Sequence, residues 1–193
     1  MIKKLINNAN FSLKEFVIVI AIIFFILIIS LNPFEYKSTN DYRGKQIHEG
    51  GYYFGKILST PKKNFDKIQK IEFKKLIQLI ENNKMSINGF PFIIYTSRLE
   101  ELVQYIIAIP IEDCIEINLP LKHVCNYFPK QDVLTVIHEG YLFDRDKAWS
   151  ILDEKLLIEN KKVFNVPFEV FWKGLEQDKD STTWKTGLYY PIR

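Results

Sequence analysis

Residues 184–192 read Trp-Lys-Thr-Gly-Leu-Tyr-Tyr-Pro-Ile, a run rich in β-favouring side chains that ends on proline and one apolar residue. Ile107-Ala108-Ile109-Pro110-Ile111 ends the same way. Working back from each ending, the same elements come in the same order. Before the later ending, Asp132 to His138 reads as a strand, and Asp144 to Asn160 as a helix carrying Ala148, Trp149, Leu152 and Leu156. Asn165-Val166-Pro167 then opens a strand from Phe168 to Trp172, and a charged loop leads to the final strand, Trp184 to Ile192. Before the earlier ending, Tyr52 to Leu58 is a strand, followed by a helix from Asp66 to Asn83 with Ile68, Ile71, Leu76, Leu79 and Ile80 near the 3.6 period. The turn signal Asn88-Gly89-Phe90-Pro91 precedes strands Phe92 to Ser97 and Leu102 to Ile111. Each half is therefore β-α-β-β. Two such units predict an α+β domain built on an antiparallel sheet with both helices on one face, because each amphipathic helix must bury its stripe. The other face of the sheet is then free to hold a ligand.

Upstream of this repeat the chain changes character. Phe16 to Leu31 reads FVIVIAIIFFILIISL, and extension to Phe34 gives a helix of roughly 28 Å, close to a bilayer core. A cleaved signal peptide is the rival reading, but the apolar run is long and Ser30-Leu31-Asn32 is a poor cleavage site. The expected organisation is an N-terminal tail (1–15), a transmembrane helix (16–34), a polar linker (35–46) and one domain (47–193), with halves at about 47–111 and 112–193. Lys3, Lys4 and Lys14 before the span favour an inside N-terminus with the domain exported, although Lys37, Arg43 and Lys45 after it weaken that signal.

The formal charge of +3 is mostly outside the domain: Lys3, Lys4 and Lys14 against Glu15 carry +2 of it. A near-neutral domain has no electrostatic footprint for nucleic acid, and Lys62 to Lys75 reads as the solvated face of a helix. Cys114 and Cys125 form no CxxC pair. They would pair in an exported domain and stay as thiols in a cytoplasmic one, and the sequence leaves both open.

From Asp132 onward, and more loosely from about residue 46, the chain resembles the GyrI-like small-molecule-binding domain, also called the bacterial effector-binding domain. The resemblance is carried by His138-Glu139-Gly140-Tyr141, Ala148-Trp149, Pro167-Phe168-Glu169-Val170-Phe171 and the 184–192 ending. It implies the duplicated fold, shared with the haem-binding SOUL proteins, and an aromatic cleft between the halves that takes cationic or amphipathic molecules or protein partners. Some relatives hydrolyse strained cyclic compounds. Two departures stand out. A membrane span occupies the place where regulators of the family carry a DNA-binding module. The acid of the family's last strand falls at Gly187, which removes the usual counter-charge for a cation and the group on which hydrolysis depends.

Glu169, in the strand expected beside the last one, is the candidate replacement, with aromatic faces assisting a cation. Tyr53, Tyr95, Phe171, Trp172, Trp184 and Tyr189 are the expected lining, although alternation sends about half of any strand's residues to the core. Gly187 would open the cleft floor. The motif His-Glu-Gly at 48–50 and 138–140 does not continue to HExxH, so no metal is expected; nor is haem or another cofactor. The expected function is non-enzymatic binding of a hydrophobic or cationic small molecule by a bilayer-anchored domain. The alternatives are a hydrolase with a displaced acid and a membrane-tethered protein-interaction module.

Overall fold

The computed structural model describes residues 17–24, 37–98, 101–114, 119–174 and 179–193. The chain forms two compact units, Met1–Lys37 and Ser38–Arg193. In the first, residues 17–24 are helical. Most of the expected span lies outside the described residues, and among those described no helix is long and apolar enough to cross a membrane.

The described residues of the second unit form eight strands and two α-helices, in the order β1 (Thr39–His48), β2 (Gly51–Pro61), α1 (Phe65–Asn82), β3 (Phe92–Arg98), β4 (Leu102–Pro110), β5 (His123–Phe128), β6 (Gln131–Glu139), α2 (Asp146–Ile158), β7 (Phe168–Lys173) and β8 (Lys185–Pro191). One antiparallel sheet holds all the strands in the order β1-β6-β8-β7-β3-β4-β2-β5. The expected repeat is β2-α1-β3-β4 and β6-α2-β7-β8, related by a pseudo-twofold at the β3–β7 seam.

The matched endings have matched contacts. Ile111 bridges back to Ile87, and Ile192 bridges back to Val163. The Asn88 amide donates to the Pro110 carbonyl, and the Phe164 amide donates to that of Pro191. Both helices also end alike, on a residue at positive φ, Lys84 or Asn160. Just beyond it, the amides of Met85 and Lys161 close back on Ile80 and Leu156.

Two strands were not expected. β1 takes in much of the stretch read as linker, and β5 precedes β6. Each crosses to the other half: β1 pairs with β6, and β5 with β2. Only Glu49 and Gly50 join β1, at one edge of the sheet, to β2 beside the other edge. The sheet must therefore curl until its edges approach. Gly50 sits at φ +73°, and a Cβ there would lie 2.2 Å from the Phe128 carbonyl oxygen, so this crossing needs glycine.

Curling gives the faces different fates. On one, Leu76 and Ile80 of α1 and Ala148, Trp149 and Leu152 of α2 pack against Phe54, Ile107, Leu134 and Leu188. On the opposite face no described helix of this unit packs, and that face closes on itself around Tyr53, Phe92, Phe128, Phe168 and Tyr189. This corrects the expectation of a free ligand-holding face: edge-to-edge curling, not a helix, covers it. Cys114 and Cys125 are joined by a disulfide that ties the segment after β4 to β5.

Candidate functional site

The alternation of β7 and β8 divides the residues expected to line one cleft. Phe168, Val170 and Trp172 lie on the helix-free face, whereas Glu169 and Phe171 lie beneath the helices. Tyr53, Trp172, Gly187 and Tyr189 thus fall on the helix-free side, while Tyr95, Glu169, Phe171 and Trp184 fall on the helix side.

On the helix-free side, Tyr189 stacks on Phe168 with ring centroids 4.7 Å apart. His48 sets its edge against Phe128, Phe168 and Tyr189. Tyr53 meets Phe92 edge-on. Gly187 does not open this floor, because the Tyr189 side chain folds over it, with the hydroxyl 2.4 Å from where a Cβ would stand. What remains is a crevice of about 320 Å³ at the rim, between the 48–52 turn, Asn88–Phe90 and Trp172. Burial raises the pKa of the Tyr189 hydroxyl and lowers that of the His48 imidazole, which Glu49 partly offsets.

On the helix side, Glu169 is fully buried inside a polar cluster. Its Oε1 accepts from the Trp149 indole at 3.0 Å and lies 3.5 Å from Arg145 Nε. Arg145, itself buried, donates through Nη2 to Asp66 at 2.5 Å, joining the start of α2 to the start of α1. Burial opposes the guanidinium charge, but Glu169, Tyr95 and Asp66 outweigh it and raise its pKa. Tyr95 is raised well above its ordinary value, first by burial and then by the Glu169 charge. Glu169 is therefore a tie between sheet and helices, and it lines neither cavity.

The larger cavity also lies on the helix side, between the halves. Its volume is about 640 Å³, within the range of small-molecule sites. Phe73 and Ile77 of α1 and Pro91 form one wall, and Tyr141–Phe143, Phe171 and Trp184 the other. Phe73 and Phe171 meet edge-on across its floor, with centroids 5.9 Å apart. Phe143 is 71% exposed and stacks on Tyr141 at the mouth. Two of the predicted residues, Phe171 and Trp184, are brought together here; Tyr95 and Glu169 stay in the core. Phe73, Ile77 and Phe143 escaped the sequence reading because it sought lining in strands alone. An apolar pair one turn apart on α1 was the available signal. Among the described residues no cluster of metal-binding side chains is present.

No family model matches the sequence, and no curated protein matches it. Solved structures do. The chain is similar to EcmrR in the EcmrR–DNA complex of EcmrR-RPo, with a TM-score of 0.71 and 15% identity over 91% of this chain and 65% of that one. It thus spans about 65% of that protein's length. The EcmrR C-terminal domain alone gives a TM-score of 0.69 at 16% identity, over 79% of this chain and 98% of that one. SAV2435, solved bound to tetraphenylphosphonium, gives 0.57 at 12% identity, over 79% and 94%. At these identities the likeness shows a shared α+β fold.

Proposed function

We propose that this protein is a membrane-tethered, non-enzymatic binding domain that takes an amphipathic or aromatic small molecule into the helix-side cavity. The observation that carries this reading is the cavity itself, about 640 Å³ and walled by aromatic and aliphatic side chains from both halves. SAV2435, a protein of similar fold solved with the hydrophobic cation tetraphenylphosphonium bound, supports the binding of an apolar body. Catalysis has little to work with: Gly187 stands where the family resemblance implies a last-strand acid, and Glu169 is sealed beneath the helices. Tethering rests on the apolar run of residues 16–34, and export on the lysines before it together with the disulfide, a bond kept in oxidising compartments.

The test is a thermal-shift screen of the full chain in lipid nanodiscs against amphipathic anions, amphipathic cations, neutral aromatics and haem. A ligand at about 100 times its dissociation constant adds roughly 2.7 kcal/mol to stability. At least one saturable shift is expected. Silence across the panel would contradict the reading and favour a protein-interaction module.

A further inference from the structure

Among the described residues that line the helix-side cavity, lysines outnumber carboxylates by four to one. Lys67, Lys70 and Lys74 project along one side of α1 at its mouth, and Lys173 of β7 lines it from across. The carboxylate among the described lining residues is that of Asp66, which accepts from Arg145 Nη2 at 2.5 Å. Lys173 is engaged, donating to the Thr183 hydroxyl at 2.9 Å. Lys67 and Lys70 are exposed and make no ion pair or hydrogen bond among the described residues. A ligand that buries an apolar body between Phe73, Ile77 and Phe171 would therefore leave its head group beside lysine ammoniums.

We infer that the cavity selects amphipathic anions, molecules with an apolar chain or ring system and one carboxylate or phosphate head, over cations of the same size. This rests on the binding function proposed above and adds the ligand's charge. Lys67 and Lys70 supply the attraction, which is screened by salt because both are exposed. A cation would meet the same ammoniums with, among the described lining residues, one carboxylate to offset them, Asp66, which already accepts from Arg145. The head group belongs either to a free carboxylate or to an anionic lipid, since phosphate and carboxylate present similar acceptors to an ammonium.

The experiment is calorimetric titration of the full chain in phosphatidylcholine nanodiscs with decanoate, decyltrimethylammonium and decanol, with empty discs subtracted. Decanoate is expected to bind tightest. In the double variant Lys67→Glu/Lys70→Glu its affinity falls about tenfold and the cation gains, because each exposed charge pair has a modest effect and both are reversed. Circular dichroism and an unshifted melting point confirm that the variant folds. Discs containing phosphatidylglycerol distinguish the sources: competition with decanoate identifies an anionic lipid, and unchanged decanoate affinity identifies a free carboxylate. Cation binding as tight as decanoate, or a decanoate affinity indifferent to the double variant, would overturn the inference while leaving the cavity a binding site. Absence of binding by all three probes would overturn both.

Discussion

Tyr189 folds back over Gly187, its hydroxyl lying 2.4 Å from the point where a Cβ on that glycine would stand. The two residues share a face of β8, and the ring also stacks on Phe168. The glycine therefore serves the packing of the helix-free face, where any side chain would compete with the ring.

Gly187→Ala should accordingly cost roughly 1–3 kcal/mol through overpacking, and much less when Tyr189 is already alanine. Urea denaturation of the two single variants and the double variant reads this coupling. Additive losses would mean that the ring moves aside freely.

Glu169 and Asp66 both face Arg145, but only Glu169 is fully buried; the Asp66 side chain is 52% exposed. Glu169→Gln leaves a buried guanidinium with one partner fewer and should cost about 3 kcal/mol, whereas Asp66→Asn should cost at most about 1 kcal/mol. Equal urea midpoints for the two variants would show that the cluster does not join sheet to helices as described.

His48 and His138 have lowered pKa values when folded, chiefly because burial disfavours the imidazolium. Glu49 opposes the shift at His48; at His138 the Tyr141 carbonyl, Asp144 and Glu169 oppose it and Arg145 adds to it. The unfolded chain, titrating near 6.5, thus takes up protons first as the pH falls. Stability is full above that value and declines below it towards the lower folded values. The urea midpoint should be lower at about pH 5.5 than at about pH 7.5, and His48→Phe, which keeps an aromatic ring in place, should narrow the gap. A midpoint that rises on acidification would contradict this assignment.

The Cys114–Cys125 disulfide closes a loop with a sequence separation of 11. A cross-link of this span contributes roughly 3 kcal/mol in the chain-entropy account. Reduction, or replacement of both cysteines by alanine, should lower the denaturation midpoint accordingly. An unchanged midpoint would mean that the bond does not restrain the unfolded chain.

The repeat was readable because each amphipathic helix and each Pro-hydrophobic strand ending left a local signature, and Pro110 and Pro191 do occupy equivalent places. β1 was not readable: Thr39-Asn-Asp-Tyr-Arg-Gly-Lys-Gln-Ile-His48 is a polar edge strand, mostly exposed or half-buried, and it shifts register between Tyr42 and Gly44. Its pairing with β6 depends on the other half of the chain, which no local pattern reveals. The same limit applies to the site. Glu169, Phe171 and Trp172 were all expected in one cleft; alternation sends about half of such a set to the core, but it gives no sign of which face the helices cover. That choice fixed Glu169 as a core tie and moved the cavity to the helix side.

The most direct test of the account is where a ligand binds. Ile77 lines the helix-side cavity, and Trp172 lines the crevice on the opposite face. For whichever ligand gives a saturable shift with the full chain in nanodiscs, Ile77→Trp should weaken binding about tenfold by overfilling the occupied cavity, and Trp172→Ala should leave affinity unchanged. Binding that survives Ile77→Trp and is lost with Trp172→Ala would place the site on the helix-free face and contradict the account.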